Sequence, residues 1–466
     1  MREAPTKQVP STYQTPMTPL DSHADTAPDA AAETPAVVTS SAAAQYGLLG
    51  LPLAFVALPV YVHLPHFYAQ QFGLSLSLLG LILLATRCLD GFVDPWLGRA
   101  ADTLYRHSWQ RVAGVASVLA CALALGFVAL FLPPETGLSM NERVVWLVGA
   151  LVLSHLAYSG LGVLHQAWAA RQGGGEVAQS RWVTWREGLG LLGVLMATTL
   201  PSLVGWLVTS VVLCALLAIG LWAWLRGAEG RVGDRVEQNQ TARGALWPLR
   251  YPAFRRLLAV FIVNGFASAI PATLVLFFVQ DALQAPASWE PLFLGLYFVS
   301  GALSLPLWLK AVARFGLAKT WRLGMLLSIA AFIGVLMLGQ GDAVWFLLIC
   351  MTSGLALGAD LAVPGALLNR LIDACGERQK SDGAFVGWWH FATKLNLALA
   401  AGLSLPLLDW LGYAPGQQDA QALSALLVAY GLIPCVLKGL AAFAATRWLI
   451  ADKLQLRCPC PFILKK

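Results

Sequence analysis

The sequence predicts an all-α integral membrane protein with twelve transmembrane helices in two six-helix halves. Three observations carry that reading. Hydrophobic residues make up 58% of the 466 residues and charged residues only 12%, well short of the roughly 25% charged residues typical of a soluble domain. Apolar stretches of about 20 residues, enough to cross a hydrocarbon core as a helix, recur along most of the chain. One polar gap, GAEGRVGDRVEQNQTARGALWPLR at 227–250, separates six such stretches from six more. Mean hydropathy is +0.65, and the runs are long enough for helices rather than barrel strands.

Residues 1–44 are rich in Thr, Pro, Ala and Ser and show no apolar periodicity. They read as a disordered cytoplasmic tail. They lack the basic start and apolar core of a signal peptide. The spans follow near 46–69, 76–101, 111–133, 144–169, 184–204, 206–226, 257–281, 291–313, 322–340, 343–369, 384–409 and 423–449. The fifth and sixth are divided at Pro201, Ser202 and Gly205. The domains are therefore an N-terminal half at 45–226, a cytoplasmic linker at 227–250, a C-terminal half at 251–450 and a cytoplasmic tail at 451–466. Six helices, a linker and six more is the layout of the major facilitator fold.

Loop charge supports the count. With the N-terminus inside, the inner loops hold Arg106 and Arg111, then Arg171 and Arg181, then seven arginines from Arg226 to Arg256. Arg314, Lys319, Arg322, Arg370, Arg378 and Lys380 follow, and the tail adds Lys453, Arg457, Lys465 and Lys466. The outer loops hold Arg143. Positive charge stays on the cytoplasmic side, so both termini are expected there, in a cell (inner) membrane. Net charge is +6, but no basic stripe lies on a polar domain, which excludes a nucleic-acid binder. The expected partners are the bilayer and a small solute, with the chain acting as a monomer.

Ionisable side chains at mid-membrane cost roughly 2.5–3.5 kcal/mol each on insertion scales. The densest group lies in span two, where Arg87, Asp90 and Asp94 are spaced three and four apart and share one helical face. Two carboxylates so close need a cation, a proton or the guanidinium between them. That is what a cation-coupled carrier requires, and a structural salt-bridge cluster would look the same. Arg186 and Glu187 in span five, Asp360 in span ten and Lys394 in span eleven are isolated charges on apolar helices. Tertiary pairing, for instance Arg186 with Asp360, is the alternative to a ligand role. Lys438 in span twelve can snorkel.

Other polar groups carry less. His155, His165 and His390 lack metal-ligand spacing, and His63 and His66 alone make a poor site. Trp388 and Trp389 suit an interfacial belt. Most of the eight cysteines sit in apolar runs; Cys458 and Cys460 form the one close pair. No nucleotide loop, nucleophile elbow or zinc-protease helix is present, so neither an ATP-driven pump nor an enzyme is expected. No cofactor and no metal are expected.

The run ATRCLDGFVDPWLGRAAD resembles the glycoside–pentoside–hexuronide:cation symporter family, the melibiose permease type. The matching positions are Arg87, Asp90, Asp94, Pro95, Gly98 and Asp102. A second match is LIDACGERQKSDGAFVGWWHFATKLNLALA, through Asp373, Gly376, Glu377, Arg378, Gly383 and Lys394. Arg186 matches the family's span-five arginine. The resemblance implies a cation site at Asp90 and Asp94, aided by Ser159, with Arg87 as charge partner. It implies a substrate cavity lined by Arg186 and Lys394, to which we add Asp360, Gln166 and Tyr158, and a gating loop at Gly98 and Asp102. Three positions depart from the sugar carriers: their glycoside-holding Asp, Asp and Trp fall at Ala54, Gly162 and Gln166. Val93 stands where an Asn helps bind sodium.

The expectation is a secondary active symporter, coupled to H+ rather than Na+, for a solute of the glycoside class. A carrier of an anionic or amphipathic solute, such as an organic acid or lysophospholipid, is the second reading. A non-transporting sensor or assembly factor on a carrier fold is the third.

Overall fold

A computed structural model describes residues 39–72, 74, 76–134, 139–229, 244–413 and 419–450. Most of the expected N-terminal tail, and Cys458 and Cys460, lie outside the described residues. The described chain is helical almost throughout and builds twelve rods. α1 comprises Ser40–Gly47, Gly50–Leu58, Pro59–His63 and Leu64–Phe72. α2 is Leu76–His107, α3 Trp109–Phe131 and α4 Met140–Arg171. α5 and α6 are the two arms of Glu176–Glu229. α7 is Pro252–Phe277 continued by Phe278–Ala282, α8 Glu290–Phe315, and α9 Leu317–Phe332 continued by Ile333–Met337. α10 joins Ala343–Ala362 to Pro364–Ala374, α11 is Asp382–Trp410, and α12 runs from Ala420–Leu427 to Thr446–Ile450.

Local chemistry sets several boundaries. Thr39 accepts from the Ala42 amide and caps α1 at Ser40, inside the stretch expected to be disordered. Ala43 is fully buried there, so the alanines that look like tail composition are a packing face. Ser139 and Glu142 cap α4 reciprocally. The chain reverses between α5 and α6 at Gly205, whose φ of 75° and ψ of 172° only glycine adopts freely. α1 wedges between these two arms: a side chain at Gly193 would meet the Leu51 carbonyl at 2.1 Å, and one at Gly220 would meet Leu49. Small residues at such crossings let backbones approach where lipid offers no hydrophobic drive.

Nine stretches of the described residues are long and apolar enough to cross a membrane. Leu81, Val118, Leu125, Leu207, Leu303 and Phe443 are exposed on the outer surface, as lipid-facing side chains should be. Two expectations fail. Trp389 is buried and stacked on Phe261 at 3.8 Å, and Trp388 donates to the Ala245 carbonyl. They pack α11 against the C-terminal half and the linker end rather than forming a belt. Lys438 does not snorkel, because Asp360 lies within reach inside the bundle at 2.9 Å.

Candidate cation and solute site

α2 and α11 cross without side chains between them. A Cβ at Gly98 would lie 2.0 Å from the Gly383 carbonyl oxygen, and one at Gly387 would lie 2.4 Å from that of Asp94. This contact joins the N-terminal six helices to the C-terminal six. Above it, Lys394 of α11 reaches across to α2. Its Nζ lies 2.6 Å from Asp90 Oδ2 and 2.8 Å from Asp94 Oδ2. It also donates to Ser159 Oγ at 2.6 Å, and that hydroxyl donates to Asp90 Oδ1 at 2.5 Å. Asp90, Asp94 and Ser159 are buried. Arg87, one turn away on α2, is half-buried. The cation shared by both carboxylates is therefore Lys394, which lies some 300 residues away in sequence and which local spacing could not select.

Below the glycine contact a second charged level appears. Asp102 accepts from the Gly383 and Ala384 amides at 2.7 and 2.9 Å, capping the first turn of α11. Arg171 of α4 donates to Asp102 at 3.0 Å and stands 3.4 Å from Asp382. Its guanidinium lies over the Tyr105 ring, 4.4 Å from the centroid. Arg106 donates to the Lys380 carbonyl. The two levels are in register. Twelve residues separate Asp90 from Asp102 on α2, Ser159 from Arg171 on α4, and Asp382 from Lys394 on α11. Each interval spans about 18 Å at 1.5 Å per residue.

The second seam between the halves runs from α5 to α8, α9 and α10. Glu176 accepts from the Leu317 amide at 2.9 Å, Asn369 donates to Gln179 at 2.8 Å, and Arg370 donates to the Gly174 carbonyl at 3.0 Å. Arg378 packs against Gly173, which has a φ of 64° and where a Cβ would sit 1.9 Å from the guanidinium. Among the described residues these cross-half bonds run from Lys394 to the basic turns, so that end of the bundle is shut.

The remaining candidates sit elsewhere. Arg186 pairs with its neighbour Glu187 and not with Asp360. Asp360 instead accepts from Lys438, Asn264 and Trp321 at 2.9, 3.1 and 2.9 Å, all within the C-terminal half. Tyr158 is half-buried on α4. Gln166 meets His390 of α11 at 2.5 Å. A Cβ at Gly162 would stand 3.1 Å from the His390 ring, so glycine at this position makes room for that pair. His165 contacts the Tyr46 carbonyl at 2.9 Å and stacks on its ring. No group of three or more His, Cys, Asp or Glu able to hold a metal occurs among the described residues.

Twelve helices in two halves, joined across a shared polar core and shut at one end, define a membrane carrier of the major facilitator fold. Comparison with known proteins narrows this. Residues 41–452 match the family described as MFS/sugar transport protein, and the chain belongs to that family. It is a transporter family, so the chain is no enzyme. The isoprimeverose transporter of Lactiplantibacillus pentosus is 22% identical over 423 residues, covering 85% of each chain. Among solved structures, a bacterial homologue of the iron transporter ferroportin, in an outward-facing state, superimposes with a TM-score of 0.68 at 16% identity. It covers 88% of this chain and all of its own. The fucose:proton symporter of E. coli gives 0.61 at 13% identity, covering 88% and 98%. These likenesses concern the fold.

Proposed function

We propose that this protein is a cation-coupled symporter for a small neutral solute of the glycoside class, with a proton as the coupling ion. One observation carries the reading: two buried carboxylates of α2 share a single ammonium supplied by the opposite half. Within that triad two negative charges face one positive charge, with Arg87 half-buried one turn away on α2. A buried excess charge is costly, so the site has a place for one more cation. Lys394 Nζ already stands among the oxygens of Asp90, Asp94 and Ser159, where a metal ion would need to sit. A proton can be added to one carboxylate without displacing it, which favours H+ over Na+.

Protonation loosens the tie between α2 and α11. Lys394 then holds one carboxylate rather than two, and the shut end can open. The positive-inside rule makes the basic end cytoplasmic, with both termini there, so the present conformation opens outward. Coupling requires that proton and solute together favour the other state. The cavity charges also bear on the solute. Arg186 is matched by Glu187, and Lys394 by two carboxylates. Neither is a spare cation for an organic anion, whereas the Gln166–His390 pair offers hydrogen bonds to hydroxyls. The isoprimeverose transporter's name points the same way.

The test is Asp94→Asn in proteoliposomes, with sugars, organic anions and lysolipids as the solute panel and imposed proton or sodium gradients. The variant should retain solute exchange at equal concentrations and lose accumulation driven by a proton gradient. Full accumulation by Asp94→Asn would remove the cation-site assignment. Stimulation by sodium alone would overturn the proton, and acceptance of lysolipids or anions but no sugar would overturn the solute class.

A further inference from the structure

The second charged level holds a group that the transport cycle proposed above does not use. Asp382 opens α11, is fully buried, and neither of its oxygens has a hydrogen-bond partner. The cation facing it is Arg171, 3.4 Å away and committed to Asp102 at 3.0 Å. Asp102 is richly served, with that guanidinium and two backbone amides. The backbone amides of Gln379 and of Asp382 itself also face its carboxylate, outside good hydrogen-bond geometry. α2 presents Asp102 and Tyr105, and the Tyr105 hydroxyl is spent on the Leu164 carbonyl. Arg106 is turned to the Lys380 carbonyl. Arg171 on α4 also reaches toward the Gln379 carbonyl at 3.4 Å. On the loop before α11, Glu377 accepts from Tyr251, Ser381 and Trp247, and Arg378 pairs with Asp373.

Two carboxylates therefore share one guanidinium here, the same two-to-one ratio as at Asp90, Asp94 and Lys394. A bare carboxylate buried without a full partner carries a heavy desolvation cost. Were α11 and α4 to part, Asp382 would meet water and ionise free of that cost.

We infer that Asp382 is a second proton-binding site, one that takes up a proton when the basic end closes and gives it back to the same side when it opens. The proton forms the O–H bond on one Asp382 oxygen, comes from water at the basic end, and returns there. It is not the proton that travels with solute. The gate is then held shut more firmly in acid at that face, independently of which solute is carried. The sign is fixed by the burial: the closed state binds the extra proton, so closure is favoured at low pH and lost as pH rises.

The experiment follows the amides of Gly383 and Ala384, which donate to Asp102 only in the closed gate. Full-length protein in lipid nanodiscs is assayed by hydrogen–deuterium exchange between pH 5 and 8. Rates are expressed as protection factors, so that the intrinsic pH dependence of exchange cancels. Once Asp94 is ionised, wild type should lose protection with rising pH, approaching about tenfold per unit where one proton is released at Asp382. Asp382→Asn, a neutral mimic of the protonated acid, should stay protected across the range. Asp382→Ser, smaller and also neutral, should do the same and guards against a fold defect in the first variant. Asp94→Asn, whose coupling site takes up no proton, should show that loss without the opposing acid-side loosening of α2 from α11, which separates this site from the coupling site. A pH-dependent loss in Asp382→Asn equal to wild type would overturn the proposal. So would weak protection at every pH in both neutral variants, because the closed gate would then need the anion.

Discussion

Gly98→Ala isolates the contact on which the two halves close. The new methyl would lie 2.0 Å from the Gly383 carbonyl oxygen, 2.7 Å from its carbon and 3.1 Å from the Ala384 Cα. All three are backbone atoms, so no side chain can swing aside. A carbon–oxygen contact relaxes at about 3.3 Å, and α2 and α11 must part by about 1.3 Å. The same displacement would stretch the Asp102 bonds to Gly383 and Ala384, now 2.7 and 2.9 Å, to about 4 Å, beyond hydrogen bonding. Hydrogen bonds to a charged group contribute about 1.5–3 kcal/mol each, so the closed gate loses about 3–6 kcal/mol. At 1.4 kcal/mol per decade the closed-to-open ratio falls by roughly a hundred- to ten-thousandfold. Nitroxides at Arg111 on α3 and Lys319 in the first turn of α9, both exposed, would report the change by double electron–electron resonance. The distance distribution should shift outward and solute accumulation should fall. Gly80→Ala, whose Cβ meets nothing within 4 Å, should do neither. An unchanged distribution and full accumulation in Gly98→Ala would refute the tight crossing.

Lys394→Ala strands Asp90 and Asp94 in the bundle without their cation. Removing one partner of a buried pair costs about 3–5 kcal/mol, so the detergent-solubilised protein should melt earlier, and adding Asp94→Asn should recover part of the loss. Equal melting of Lys394→Ala and wild type would mean water already screens the cluster. Lys438→Met and Asp360→Asn should each destabilise the C-terminal half, while the double variant costs less than their sum by about 0.5–3 kcal/mol. Transport should survive in the double variant, because that pair lies within one half; loss of accumulation with a normal melt would assign it a direct role.

The helix count and the family were legible because each follows from a pattern local in sequence: apolar length, and the spacing of Arg87, Asp90, Asp94, Gly98 and Asp102. The same local logic marked Asp90 and Asp94, and the family resemblance marked Ser159; the structure brings all three together with Lys394. Local logic could not say which cation serves them, since Arg87 is near in sequence and Lys394 near in space. It misplaced Lys438, Trp388 and Trp389 for a related reason. A lysine or tryptophan on an apolar helix looks the same in sequence whether it reaches toward headgroups or a partner helix, and only the packing of α7, α10 and α12 decides. Arg171 and Asp382 were missed as site residues because each sits beside a loop, where a charge is unremarkable. The twelve-residue register with Ser159 and Lys394 was the available signal.

That register also bears on how a charge change at one level could reach the other. A coupling path needs an element with two arrangements that both sites bias. α2 and α11 are such elements: continuous helices, pressed together at Gly98, Gly383 and Gly387 between the two levels. A helix does not stretch over about 18 Å, so Lys394 separates from Asp90 and Asp94 while Asp102 keeps its grip on the first turn of α11 only if the two helices splay about that grip or one of them bends. Pro95 lies inside α2 between the levels, and proline is where a helix bends most readily. Without splay, the two levels therefore open together if Pro95 is stiff and in sequence if it flexes. In the second case the Lys394 tie would give way first, while the gate at Asp102 still bars the solute.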